Sequence, residues 1–214
     1  MAKSYAEIAF TDPVLRLQQA QGSAKLYAAQ LHPDAEREDR LTAAEVAFLS
    51  ARDGFYQATV SATGWPYVQF RGGPAGFVHV LDDRTIAYAD FRGNRQYIST
   101  GNLSSDDRVA LFFMDYPNKR RLKMFGHVCV VDAADDPALL ERLMPEGYRA
   151  RAERAIVMSP AGFDWNCPQH IPQRMTVAEY ETAIAPLREH LGGLQAENEA
   201  LKAELERLRG ATQS

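Results

Sequence analysis

The sequence predicts a mainly β protein of α+β type, with about six antiparallel strands closing into a barrel, flanking helices and a long C-terminal helix. Three observations predict it. Between Gly54 and Ser159, short strand-like runs alternate with turn residues at close spacing. Their connections are too short for the crossovers of a parallel sheet, and closing the sheet removes exposed edges. Beyond Pro186 the apolar period changes to alternating steps of three and four.

The elements follow in order. Residues 1–52 read as a helical extension. Asp12 is the expected N-cap before Pro13, with Val14 and Leu17 beginning an apolar face. The polar stretch His32–Arg40 reads as a connector. Thr42-Ala-Ala-Glu45 is a capping box, backed by Val46 and Leu49. Strands are expected at Phe55–Ser61, Tyr67–Arg71, Phe77–Leu81, Thr85–Ala89, Val109–Met114 and Leu122–Val131, with Ala155–Ser159 as a candidate last strand. A short helix is expected to open near Gly93–Gln96, and another to run from Asp136-Pro137 to Leu143. The barrel domain is placed at 53–175 and the C-terminal helix at 176–214.

In that last helix, Ile184, Leu191, Asn198 and Leu205 take heptad position a, and Leu187, Leu194, Leu201 and Leu208 take d. Glu197 and Glu204 fall at g; Lys202 and Arg209 fall at e. This pattern predicts a parallel dimeric coiled coil. Pro186 and Gly192-Gly193 favour the alternative, a single amphipathic helix packed on its own domain.

Composition narrows the function. The 214 residues are 46% hydrophobic, enough for a packed core, and the net charge of −4 lacks the electrostatic footprint of a nucleic-acid binder. Two cysteines, Cys129 and Cys167, have no metal-ligand spacing. No apolar run approaches the length of a membrane span, and MAKSYAEIAF has no apolar signal core. The expectation is a cytoplasmic protein that binds neither membrane nor nucleic acid.

The chemistry-bearing residues cluster in four places. Alternation puts Tyr67, Gln69 and Arg71 on one strand face, suited to a planar polar ligand with a phosphate tail. Asp90-Phe-Arg-Gly-Asn-Arg-Gln96 ends a strand with Arg92 and Arg95 beside unpaired backbone N–H groups, an anion site. Read as solvent-facing segments, both stretches are an outer sheet face and a loop with arginines in water. Arg120-Arg121-Leu-Lys123 is a basic cluster that reads either as an exposed turn or as a ligand contact across a dimer interface. Phe163–Arg174 holds Trp165, Asn166, Cys167 and His170. Trp165 and Asn166 are candidate pocket residues, while Cys167 and His170 alone do not make a zinc site.

The order of these segments resembles the FMN-binding split barrel of the pyridoxamine 5′-phosphate oxidase family. The similarity runs through Tyr67-Val-Gln-Phe-Arg71, Gly93-Asn94-Arg95-Gln96 and the strand Asp107–Phe113. It implies a six-stranded antiparallel split β-barrel, a homodimer, and FMN bound at the dimer interface. Arg71, Asn94, Arg95 and Gln96, with Asp90 beside them, fall at the phosphate segment, and Gln69 flanks the ring. Arg121 reaches the flavin from the partner subunit, and Trp165 is a C-terminal flavin contact. The implied activity is FMN-dependent oxidation or reduction of a small molecule, with NADH or NADPH as candidate donor. The alternative on the same fold is a flavin- or heme-binding protein without turnover. Tyr67, Gly72 and Gln96 stand where the oxidases carry Arg, Lys and Lys, which points away from vitamin B6 oxidation.

Overall fold

The structure is a computed structural model that describes residues 5–32, 39–165 and 167–211. Part of the His32–Arg40 connector, and Asn166, lie outside the described residues. The chain divides into two compact units, Met1–Ile171 and Pro172–Ser214.

The first unit opens with three short helices, α1 (Tyr5–Ala9), α2 (Asp12–Ala20) and α3 (Ala24–Tyr27), and a 3-10 turn. The cap of α2 is Thr11, one residue before the expected Asp12, and Pro13 sits inside the first turn. Helix α4 (Ala43–Ser50) has the reciprocal capping box predicted from Thr42 and Glu45.

Seven antiparallel strands follow in one sheet: β1 (Gly54–Val60), β2 (Pro66–Gly72), β3 (His79–Asp82), β4 (Thr85–Phe91), β5 (Arg108–Asp115), β6 (Arg120–Asp132) and β7 (Ala152–Trp165). Their order is β2-β1-β5-β6-β7-β4-β3. Six strands and closure were expected; seven form, and no ladder joins edge strands β2 and β3 among the described residues. The reason is β7. This 14-residue strand pairs with both β6 and β4 and so links the two halves of the sheet.

The sheet is curled, because side chains from distant strands meet inside it. Tyr88 on β4 donates a hydrogen bond to the Gln57 side chain on β1. The Phe55 ring lies 5.2 Å from the Tyr88 ring and 5.9 Å from that of Phe77. Gly126 allows β6 and β7 to approach: a Cβ there would meet the Ser159 carbonyl at 2.6 Å, beside the register shift at Phe125/Gly126.

Two helices fill the remaining faces. Helix α5 (Ile98–Leu103) follows β4 and reaches β1, where Asn102 donates to the Thr59 hydroxyl at 3.0 Å. Helix α6 (Pro137–Leu143), capped by Asp136, packs Leu143 over Ala87, Ala89 and Ala155. Strand β4 is therefore buried on both faces, with Ile86 and Tyr88 in the main core and the alanines under α6. No described helix is long and apolar enough to cross a membrane. The second unit is helix α7 (Val177–Ala211), which continues through Pro186.

Glu45 ties the start of α4 to the end of β7. It is 5% exposed and accepts hydrogen bonds from the Thr42 hydroxyl at 2.5 Å, the Trp165 indole at 2.7 Å and the Thr42 amide at 2.9 Å. Burial opposes ionisation, but these bonds outweigh it and hold the carboxyl below its ordinary value of 4.5. Its contribution to stability is complete above that value and is lost as the pH falls through the lower folded-state value. Glu45→Ala is expected to lower the unfolding free energy by about 2 kcal/mol near pH 7, because a cap and a buried acceptor are lost together. Urea unfolding checks this, and the difference from the parent chain should shrink on acidification below 4.5.

Candidate anion pocket

Strand β2 turns its polar side inward. Tyr67, Gln69 and Arg71 are half-buried, while Val68 and Phe70 on the opposite side are 59% and 58% exposed. Curling of the sheet then carries Arg71 to Asp90 at the end of β4. Asp90 is 6% exposed and accepts from Arg71 Nη1 at 2.7 Å and from Arg154 Nη1 at 3.0 Å. Arg154 lies opposite Asp90 in the β4–β7 ladder. Its guanidinium also reaches the Thr100 hydroxyl at 3.4 Å and lies over the Tyr97 ring at 5.2 Å.

The loop between β4 and α5 forms the other wall. Gly93–Gln96 was expected to open the helix, but the helix starts at Ile98. Arg95 and Tyr97 instead adopt left-handed backbone, with φ of 64° and 53°. Residues with a Cβ adopt this region at a cost, so the surrounding contacts must hold it. Here Arg95 Nε donates to the Tyr97 hydroxyl at 3.3 Å, and that hydroxyl donates to Glu153 at 3.2 Å. The Asn94 side chain accepts from the Gln96 amide at 3.1 Å. On the strand side, Ser99 donates to Gln69 Oε1 at 2.9 Å.

The result is a polar pocket of about 50 Å³ between β2, β4 and the loop. Two arginines, Arg71 and Arg95, and two acids, Asp90 and Glu153, line it; Arg154 and Arg92 pair with those acids from outside the lining. The exposed Asp132 also approaches Arg154, at 3.7 Å. Across this wider cluster, four guanidiniums against three carboxylates leave one positive charge in excess. Arg71 Nε is buried and has no hydrogen-bond partner among the described residues. A buried, unpaired guanidinium N–H beside surplus positive charge is a donor set for an anion.

Gln69, Arg71, Asp90, Asn94 and Arg95 are brought together here, as the sequence suggested. The other three candidates lie elsewhere in the single chain. Gln96 is exposed and does not line the pocket. Arg121 is on the outward side of β6, opposite buried Leu122 and Met124. Trp165 packs edge-on against Phe48 at 4.7 Å, gives its N–H to Glu45 and carries Arg120 over its face at 4.4 Å. Arg154, Glu153, Tyr97 and Ser99 were not anticipated. Alternation in Ala152–Met158 places Arg154 on one face, but only the β4–β7 ladder shows what that face meets.

Fold and pocket define a curled antiparallel-sheet protein with a small polar site lined by two arginines and two acids. The sequence pattern of the pyridoxamine 5′-phosphate oxidase family matches residues 41–166, more than half of the chain. The chain belongs to that family. Among solved structures, HupZ of Group A Streptococcus is 14% identical, with 63% of this chain and 100% of that chain covered and a TM-score of 0.48. An FMN-binding protein from Syntrophomonas wolfei is 10% identical, with 70% and 97% covered and a TM-score of 0.45. An F420 reductase is 23% identical, with 55% and 94% covered and a TM-score of 0.40. No curated protein matches the chain.

Asp90 compensates two nearly buried guanidiniums, so its charge matters more than its shape. Asp90→Asn is expected to destabilise the fold by about 3 kcal/mol, the scale of a broken buried ion pair. Chemical denaturation checks this against Asp106→Asn, whose carboxyl pairs with the exposed Arg108 and should cost little.

Proposed function

We propose that this chain is an FMN-dependent oxidoreductase acting on a small molecule. The reading rests on family membership, and the observation that carries it is Arg71, whose buried Nε has no hydrogen-bond partner among the described residues, beside Arg95 in one small polar pocket. A phosphate monoester supplies the missing acceptor and neutralises the surplus. Arg71 and Arg95 would hold the phosphate, with Asn94 beside it. Asp90 would keep Arg71 in place, and Gln69, oriented by Ser99, would face the rest of the ligand.

When bound, the flavin supplies the electron transfer. The chain's part is to bind and orient it and to place positive charge near it. The phosphate would sit in the pocket of about 50 Å³, with the ring outside it. In the proposed homodimer the ring sits between protomers, with Arg121 of the outward β6 face reaching it from the partner. Exposed Tyr56, Val68 and Phe70 on the outer face of β1 and β2 support such an interface. Trp165 is not proposed as a ligand contact, since its indole N–H is already bonded to Glu45.

Purified protein is expected to be yellow and to retain FMN after desalting. Arg71→Ala and Arg95→Ala should each weaken FMN binding at least tenfold, about 1.4 kcal/mol; unchanged affinity in both would remove them from the site. Steady-state NADH or NADPH oxidation by the loaded protein tests catalysis. A chain that keeps flavin without turnover is the binding-only alternative.

A further inference from the structure

We propose that α7 forms a parallel, two-stranded coiled coil with α7 of a second copy of this chain. The inference is independent of the flavin reading, because it uses only the second unit.

Helix α7 runs unbroken over Val177–Ala211. It starts at a reciprocal cap, with the Thr176 amide donating to the Glu179 carboxylate at 2.8 Å and the Glu179 amide donating to the Thr176 hydroxyl at 3.2 Å. Its interior contains Pro186 and Gly192-Gly193, all poor helix residues. A long helix with such a composition gains its stability from burying an apolar face. That face is present but exposed: Leu187, Leu191, Leu194, Leu201, Leu205 and Leu208 are between 48% and 58% accessible in the single chain. With Asn198 at the one a position between them, they fill the a and d positions from Leu187 to Leu208, the seam of a coiled coil rather than the broader stripe of a helix lying on a globular core.

The charges flanking the seam identify the occupant. In a parallel pair, a g residue meets the e residue of the partner's next heptad. Glu197 then faces the partner's Lys202, and Glu204 faces the partner's Arg209. By symmetry each pair occurs twice. An antiparallel pair would set g against g and e against e, glutamate near glutamate and cation near cation. The helix is thus complementary to itself in one orientation. In the single chain Glu204 pairs with Arg207 at 2.6 Å along the helix surface, a contact it would share with or exchange for the partner's Arg209 in the pair. Asn198 at position a selects two strands and fixes their register, since a shifted pairing would bury its amide against leucine.

The test uses the full chain with Cys129→Ser and Cys167→Ser, and one added cysteine: Leu201→Cys at d or Ala203→Cys at f, on the outside. In a parallel, in-register pair the d side chains face each other within disulfide reach. In a glutathione redox buffer, the Leu201→Cys chain is expected to give at least tenfold more disulfide-linked dimer than the Ala203→Cys chain. Equal cross-linking would overturn the proposal, even if the first unit dimerises by itself. Charge reversal gives a second readout in the Leu201→Cys background. Chains carrying Glu197→Lys and Glu204→Lys, mixed with chains carrying Lys202→Glu and Arg209→Glu, should cross-link as the mixed pair at least tenfold over either self-pair. A statistical mixture would contradict the assigned g–e contacts. Flavin content, read in parallel, reports separately on the pocket.

Discussion

Asp90 is the contact on which the geometry of the pocket depends. It sits at the end of β4, between Arg71 from β2 and Arg154 from β7. In sheet order β2 and β4 are far apart, with four strands between them. The carboxylate therefore bridges two regions that only the curl of the sheet brings together. Two guanidiniums taken out of water need a counter-charge, and a buried ion pair adds little net stability once desolvation is subtracted. What the arrangement does yield is position. Arg71 is fixed with one N–H bonded to Asp90 and another without an acceptor among the described residues.

The core beneath this contact explains why it forms there. Tyr88 is one strand face with Asp90, and its hydroxyl is bound to Gln57 on β1. Complete burial pushes the Tyr88 pKa up, opposed in part by Arg71. The phenol therefore stays protonated and serves as a donor to Gln57. Tyr88–Gln57 and Asp90–Arg71 are successive rungs across the inside of the curled sheet. On the outer side of β4, Ala87 and Ala89 leave room for α6. A larger residue at either alanine would press against Leu143 and disturb the strand that carries Asp90.

Much of this was legible in the sequence because it is local. Turn residues and period-two alternation located the strands, and the Thr42/Glu45 and Asp136 caps were readable residue by residue. The polar face of β2 and the Asp90–Arg95 segment pointed to the pocket for the same reason. What was not legible depends on pairing over long separations. The strand Ala155–Ser159 looked marginal, yet the structure extends it to Ala152–Trp165 and makes it the link between the halves of the sheet. Arg154 reaches Asp90 only through that ladder. Trp165 lies in a stretch dense with functional groups, but its partner, Glu45, is a helix-capping residue far away in sequence. Gly93–Gln96 reads as a helix opening; the left-handed Arg95 and Tyr97 delay the helix to Ile98, a cost in backbone strain that no propensity scale anticipates.

The central claim is that the Arg71–Asp90–Arg154 pocket binds a phosphate monoester, and comparing FMN with riboflavin tests it most directly. The two ligands share the ring and differ in the phosphate. Titration calorimetry on the flavin-free protein should show FMN binding about a hundredfold more tightly, the scale of two charge-assisted hydrogen bonds. That preference should largely disappear in Arg71→Ala. Equal affinities for FMN and riboflavin in the parent chain would contradict the account.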